Sequence, residues 1–335
     1  MGEGLEQLAA QTLAHRPAAA DSIAEAMSSW QPIAPVSFMA QSSLSTEGAR
    51  LSECEGFYVY RVTTLSQSAS VGDAAALHWR EYVLEATEIS ALMLSTCIWG
   101  TLVYGDESPF KSLGISAVSR PTVMGIAIAV TTFMIIRSPL GRRSGAHMNP
   151  AVTLTFLWLG RVHRWDAAWY IAAHFIGAIA GVLAGRQILA LRLSAPSVQY
   201  MVTVPGERGN AITFVGEFVL AGLLMATVLY SSNHRRLTNL TPTLVAVLTI
   251  LFFVLSPSKS GFSVNPARTF SSALFAANWQ GVWIYFAAPC LGMLSAAAIY
   301  VKTVGWNRVY CAKVFHDRHS VCPFRCQFEH VYEET

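Results

Sequence analysis

The tripeptide Asn-Pro-Ala occurs twice, as Asn149-Pro150-Ala151 and as Asn265-Pro266-Ala267, and each copy opens a short apolar stretch, 149–159 and 265–276. Asn is a favoured N-cap and Pro is favoured in the first helical turn, so each copy reads as a helix start. A helix needs about 20 residues to cross the hydrocarbon of a bilayer. Both stretches fall short of that and read as re-entrant half-helices. Around them lie apolar spans at 82–104, 121–137, 166–190, 211–231, 241–256 and 280–302, most of them near crossing length.

The spans and half-helices repeat. Each half of the chain supplies a span with a Glu near its start (Glu85, Glu217), then a second span, an Asn-Pro-Ala half-helix and a third span. Three spans per half is an odd number, so the halves enter the membrane in opposite directions, an inverted repeat. The half-helices therefore point inward from opposite faces and meet at mid-depth. Non-helical backbone is tolerated there only where protein or water satisfies its polar groups, which predicts a water-lined path. Composition agrees with an all-α polytopic membrane protein, since 53% of residues are hydrophobic and 13% charged.

The chemistry of the path follows from its parts. A capping Asn accepts from its own first turn and keeps its side-chain NH₂ as a donor, so Asn149 and Asn265 offer paired donors to a passing oxygen. Each half-helix also aims the positive end of its dipole, about half an elementary charge, at the same point and disfavours cations. Arg268 lies in the first turn of the second half-helix, where its guanidinium adds fixed positive charge. Glu85 and Glu217, expensive in hydrocarbon if unpaired, are expected to brace the half-helices by accepting from loop N–H groups. His147, two residues before Asn149, reads either as a pH-sensing gate or as simple packing. His174 reads as a buried, hydrogen-bonded residue.

The strings Ser144-Gly145-Ala146-His147-Met148-Asn149-Pro150-Ala151-Val152-Thr153 and Ser260-Gly261-Phe262-Ser263-Val264-Asn265-Pro266-Ala267-Arg268-Thr269-Phe270 resemble the signature loops of the major intrinsic protein family, the aquaporins and glycerol facilitators. The resemblance spans residues 79–303. It implies an aquaporin-like fold of six membrane helices plus two half-helices, a passive channel for water or small uncharged solutes, and a homotetramer with a pore in each subunit. It makes Asn149, Pro150, Ala151, Asn265, Pro266 and Ala267 the pore centre and Arg268 the arginine of the selectivity filter. Phe262 and Phe253 stand where water-specific members carry a small residue or Cys and a His, which points to glycerol-like solutes. Thr269, Ala273, Tyr285 and Phe286 match the water-channel pattern instead. Met124 is assigned as the second-helix filter residue.

Outside that domain, residues 1–78 read as a polar extension broken by Pro17, Pro32 and Pro35, and 304–335 as a cytoplasmic tail. Cys311, His316, His319, Cys322, Cys326 and His330 crowd that tail at a density that would let four of them hold zinc, although the spacing matches no zinc motif; Lys313, Arg318 and Arg325 equally suit a solvated tail beside anionic lipid. No cofactor is required by the channel reading. Arg137, Arg142, Arg143, Arg161, Arg164, Arg235 and Arg236 share the side of both termini, which the positive-inside tendency makes cytoplasmic. The expected location is a bacterial inner (plasma) membrane. No nucleophile-base pair or phosphate loop suggests an enzyme, and no basic run with aromatics suggests a nucleic-acid partner. A secondary transporter sharing the inverted-repeat logic and a closed-pore interaction protein are the alternatives to a channel.

Overall fold

A computed structural model describes residues 70–116, 119–255, 262–317 and 321–331. The polar extension, save its last residues 70–78, and His319 lie outside these. The principal helices are α1 (Val71–Tyr104), α2 (Arg120–Arg137), α3 (Pro150–Trp158), α4 (Arg164–Leu189), α5 (Gly209–Ser232), α6 (Thr241–Leu255), α7 (Pro266–Ala276) and α8 (Val282–Thr303). Among the described residues six helical stretches, those containing α1, α2, α4, α5, α6 and α8, are long and apolar enough to cross a membrane. They place apolar stripes outward, such as Ile126, Val130 and Met134 on α2 and Val215, Val219 and Leu223 on α5. A four-residue spacing keeps such side chains on one helix face, and a bilayer is the solvent that suits that face.

The first helix starts eleven residues before the span read from hydropathy and bends at His78, where φ is −120° and ψ 15°. Its early turns carry polar residues that hydropathy rejects but tertiary partners satisfy. His78 Nδ1 and the Tyr82 hydroxyl both reach Asp166 Oδ1 of α4 at 2.7 Å. Arg143 Nε donates to Glu81 Oε1 at 2.8 Å. The first membrane-length helix thus begins at Val71.

Packing repeats as the sequence does. The closest helix pairs are α1 with α4, α5 with α8, and α2 with α6. At the first two, glycines set the approach, Gly177 and Gly292 at its tightest points. A Cβ on Gly177 would lie 2.2 Å from the Ala86 carbonyl oxygen, and one on Gly292 would lie 2.1 Å from that of Phe218. Ala86 and Phe218 each follow the conspicuous Glu of their half, so both close approaches occur at the level of Glu85 and Glu217.

The tail does not hang free. Residues 305–317 and 321–331 fold back on the side of the domain that carries Arg137, Arg142 and Arg161. Val314 N donates to the Gly145 carbonyl at 3.0 Å, Tyr310 N to Asn233 Oδ1 at 2.8 Å and Arg142 Nη1 to Asp317 Oδ2 at 2.8 Å. Arg137 lies over the Phe315 ring at 5.0 Å. Lys313 is 1% exposed. The expectation of a solvated tail is therefore corrected, because its apolar residues Val314, Phe315, Phe324 and Phe328 bury themselves in the same hydrophobic core as Phe156 and Tyr170 of the domain.

Candidate pore and selectivity constriction

The two conspicuous carboxylates hold the two loops in the same way. Glu85 accepts from His147 N at 2.9 Å and Met148 N at 2.8 Å, the residues two and one before Asn149. Glu217 accepts from Ser263 N at 3.0 Å and Val264 N at 2.6 Å, the residues two and one before Asn265. Both glutamates are 0% exposed. Hydrogen bonds to a charged acceptor are each worth about 1.5–3 kcal/mol, and here they replace the water the carboxylate has lost. His174 of α4 adds Nε2 to Glu85 Oε2 at 2.9 Å.

The loops so held adopt backbone that non-glycine residues seldom use. Ala146 and Met148 have φ of 54° and 48°, and Phe262 and Val264 have φ of 42° and 48°. These are the positions three and one before each Asn. Left-handed backbone at a bulky residue survives only where its surroundings over-determine it, and the carboxylate clamps supply that constraint. Nothing in the side-chain pattern signals it, since a Gly would be the usual marker.

Each loop ends on its capping Asn. Asn149 Oδ1 accepts from Ala151 N at 2.9 Å, while Asn265 Oδ1 accepts from Ala267 N at 3.1 Å and Arg268 N at 3.3 Å. Pro150 and Pro266 occupy the first turns, where a missing N–H has no consequence. The side-chain amides then cross over. Asn149 Nδ2 donates to the Val264 carbonyl at 2.8 Å and Asn265 Nδ2 to the Met148 carbonyl at 2.7 Å. Each NH₂ has two hydrogens, so one fastens the opposite loop and one is left to face the lumen.

A cavity of 140 Å³ runs past this junction. Its wall repeats between the halves: Leu92 and Thr96 of α1 answer Leu224 and Val228 of α5, each pair seven and eleven residues after its Glu. The halves diverge three residues after each Asn, where one carries Val152 and the other Arg268. The cavity is therefore apolar towards the tail and cationic at the other end. Arg268 Nη1 is buried and bonds to none of the described residues. Beside it, Phe262 meets Phe253 at 4.9 Å and Phe252 at 5.4 Å between ring centroids, both edge to face.

Met124 is not part of this wall. It is fully buried, and α2 presents Ile128, Thr132 and Ile136 instead. A four-residue step turns a helix by about 40° beyond a full turn, so a stripe centred on Thr132 has rotated off the lumen by Met124. Gly125 beside it packs on Phe253, where a Cβ would come within 2.9 Å of the Phe253 Cβ.

The other singled-out residues have structural partners. The His147 ring is stacked between Phe156 at 5.3 Å and Phe324 at 5.2 Å; its Nε2 donates to the Ala312 carbonyl at 2.8 Å and Nδ1 meets Thr153 Oγ1 at 2.9 Å. That arrangement is packing against the tail. Thr269, the counterpart of Thr153, bonds to Ser263 and, at 2.9 Å, to Thr203, and so supports its loop rather than facing the lumen. Tyr285 and Ala273 are buried, and Phe286 stacks on Phe175 at 6.1 Å. In the tail, Cys311, His316, Cys322 and Cys326 converge, and His330 stays outside that group.

These features define a polytopic membrane protein built as an inverted repeat around a lumen, with two capped half-helices meeting at its centre. The sequence profile of the major intrinsic protein family matches residues 71–300. The chain belongs to that family. It is 31% identical to aquaporin NIP1-2 of Arabidopsis thaliana over 53% of this chain and 62% of that protein, and 30% identical to aquaporin-4 of Bos taurus over 62% and 60%. It thus spans about three fifths of the length of these two relatives. Against aquaporin Z of Rhodopseudomonas palustris it is 28% identical over 57% of this chain and 81% of that one. An aquaglyceroporin structure from Plasmodium falciparum superposes with a TM-score of 0.57 at 18% identity, covering 68% of this chain and 97% of the other, which speaks for the fold.

Proposed function

We propose that the chain is a passive channel for water and small uncharged, glycerol-like solutes that excludes ions and protons. The observation that carries this reading is the meeting of two half-helix N-termini, capped by Asn149 and Asn265, on the wall of one cavity. Two dipole ends and Arg268 make the path positive, so a cation, including hydronium, meets a barrier that a neutral solute does not.

Arg268, Phe262 and Phe253, with Phe252, form the proposed selectivity filter. A guanidinium and a cluster of phenyl rings on the wall of one cavity suit a solute that carries both hydroxyls and C–H groups, which favours a polyol over strict water selectivity. Thr269, Ala273, Tyr285 and Phe286, which pointed towards water, act through packing, and their weight in the choice falls accordingly. A coupled transporter is the weaker reading, because none of the described residues lining the cavity is a carboxylate that could hold a coupling ion. Both termini are proposed to lie on the cytoplasmic face, in a plasma membrane of bacterial inner-membrane type, and the assembly to be a homotetramer.

Stopped-flow light scattering of proteoliposomes tests the function. Shrinkage in an impermeant osmolyte reports water, and re-swelling in glycerol reports the polyol. Fast shrinkage with fast re-swelling is the expected result. Protein-free rates for both would overturn the channel and leave a closed-pore membrane protein.

A further inference from the structure

We propose that Cys311, His316, Cys322 and Cys326 bind one zinc-like divalent cation, and that this ion fastens the tail across the tail-side mouth of the lumen. The four ligand atoms all lie within 4.8 Å of one another. Cys311 Sγ is 3.5 Å from Cys322 Sγ, and Cys326 Sγ is 3.2 Å from His316 Nε2. A tetrahedral ion with Zn–S near 2.3 Å separates its ligand atoms by roughly 3.8 Å, so a small relaxation completes the site. Three soft thiolates and an imidazole select zinc over the hard cations magnesium and calcium.

The surroundings are those of a ligand set. His316 Nδ1 meets the Asp317 carbonyl at 2.6 Å, which places the proton on Nδ1 and turns the Nε2 lone pair to the three sulfurs. Phe328 stacks on that ring at 4.2 Å and fixes its plane. Three thiolates with a divalent ion leave one negative charge, and two buried cations stand by, Lys313 at 1% and Arg161 at 9% exposure. The tail lies with the arginine-rich loops, on the face proposed to be cytoplasmic, where thiols stay reduced.

The loop closed between Cys311 and His316 is the part of the tail that touches the pore. Ala312 receives the His147 ring, Lys313 Nζ donates to the Arg142 carbonyl, and Val314 bonds Gly145 and lines the cavity. Phe324, between Cys322 and Cys326, stacks on His147 from the other side. Fastening the four ligands therefore fixes Val314 at the end of the lumen, and releasing them frees it. This last consequence rests on the channel reading, whereas the metal site does not.

The test uses full-length protein purified in detergent with a reductant. Elemental analysis is expected to find about one zinc per chain, falling at least tenfold in Cys322→Ser and Cys326→Ser and persisting in His330→Ala. Because the serine variants can misfold, chelated wild type is also titrated with Co²⁺, and thiolate-to-cobalt absorption is expected to saturate at about one equivalent. Wild type that holds no zinc and gives no such absorption overturns the site, as does a Cys311–Cys322 disulfide that persists in reductant. In proteoliposomes, chelation is expected to raise water permeability at least about twofold and zinc to reverse it. Permeability above the protein-free rate that does not change as the ion leaves overturns the fastening role, while protein-free rates in both states, in protein whose zinc binding is verified, speak against the channel and not against the site.

Discussion

A carboxylate out of reach of water needs donors in place of its lost hydration, and Glu217 finds them in two successive backbone N–H groups. Glu217→Gln turns one acceptor oxygen into a donor facing a donor. It is expected to destabilise the protein by about 1–3 kcal/mol, seen as a lower unfolding midpoint in detergent. An unchanged midpoint would remove the bracing role. Arg268 places a guanidinium on the lumen wall where its counterpart Val152 is apolar. Arg268→Ala is expected to speed permeation of solutes larger than glycerol about 5–10-fold, a barrier change of about 1–1.4 kcal/mol, read by light scattering; an unaltered solute ranking would take Arg268 out of the filter. Asn265→Leu removes both the cap and the bond to the Met148 carbonyl, and flux through correctly assembled protein should vanish.

Among elements, the inverted repeat makes a demand that single residues do not, because equivalent contacts should respond equally. Gly177 on α4 and Gly292 on α8 each lie against the carbonyl that follows a clamp glutamate. Gly177→Val and Gly292→Val each force a backbone apart, and overpacking typically costs about 1–3 kcal/mol or more. Both are expected to reduce the yield of monodisperse protein in size-exclusion chromatography to a similar degree. Loss in one variant alone would mean that the two helix pairs are not equivalent supports. The half-helices differ in what holds their far side: α3 sits by the loop that the tail covers through His147 and Gly145, while Thr203 reaches Thr269 in α7. The repeat is thus symmetric at the clamps and asymmetric at its two mouths.

For the whole molecule, the outward stripes on α2, α4, α5 and α6 leave a broad apolar surface to be shared between lipid and neighbouring copies. Native mass spectrometry in mild detergent is expected to find four copies, and a monomer in every detergent tried would set the homotetramer aside. Sidedness has its own test, since Leu113 lies on the Arg268 side and Val321 on the tail side, both exposed. In right-side-out vesicles of a cysteine-reduced variant, a membrane-impermeant maleimide should label Leu113→Cys and spare Val321→Cys. The reverse pattern would invert the proposed topology.

The sequence by itself determined the helices, the half-helices and their inverted order, because these depend on local matters: apolar length against bilayer thickness, and Asn and Pro at a helix start. Asn149, Asn265, Glu85, Glu217 and Arg268 were legible for the same reason, being polar residues in apolar surroundings at repeated spacing. Tertiary structure alone decided the rest. The eleven extra residues of α1 include Asp73, His78, Arg80 and Glu81, which lower their hydropathy, and Asp166 and Arg143 supply buried partners for His78 and Glu81. The left-handed backbone at Ala146, Met148, Phe262 and Val264 follows from a clamp that lies some sixty or fifty residues away in the chain, as with Met148 on Glu85 and Val264 on Glu217. Met124 lost its place on the wall through helix rotation, which hydropathy does not register. The spacing of the tail ligands resembled no known metal motif, and it took a chain reversal against the domain to bring four of the six together.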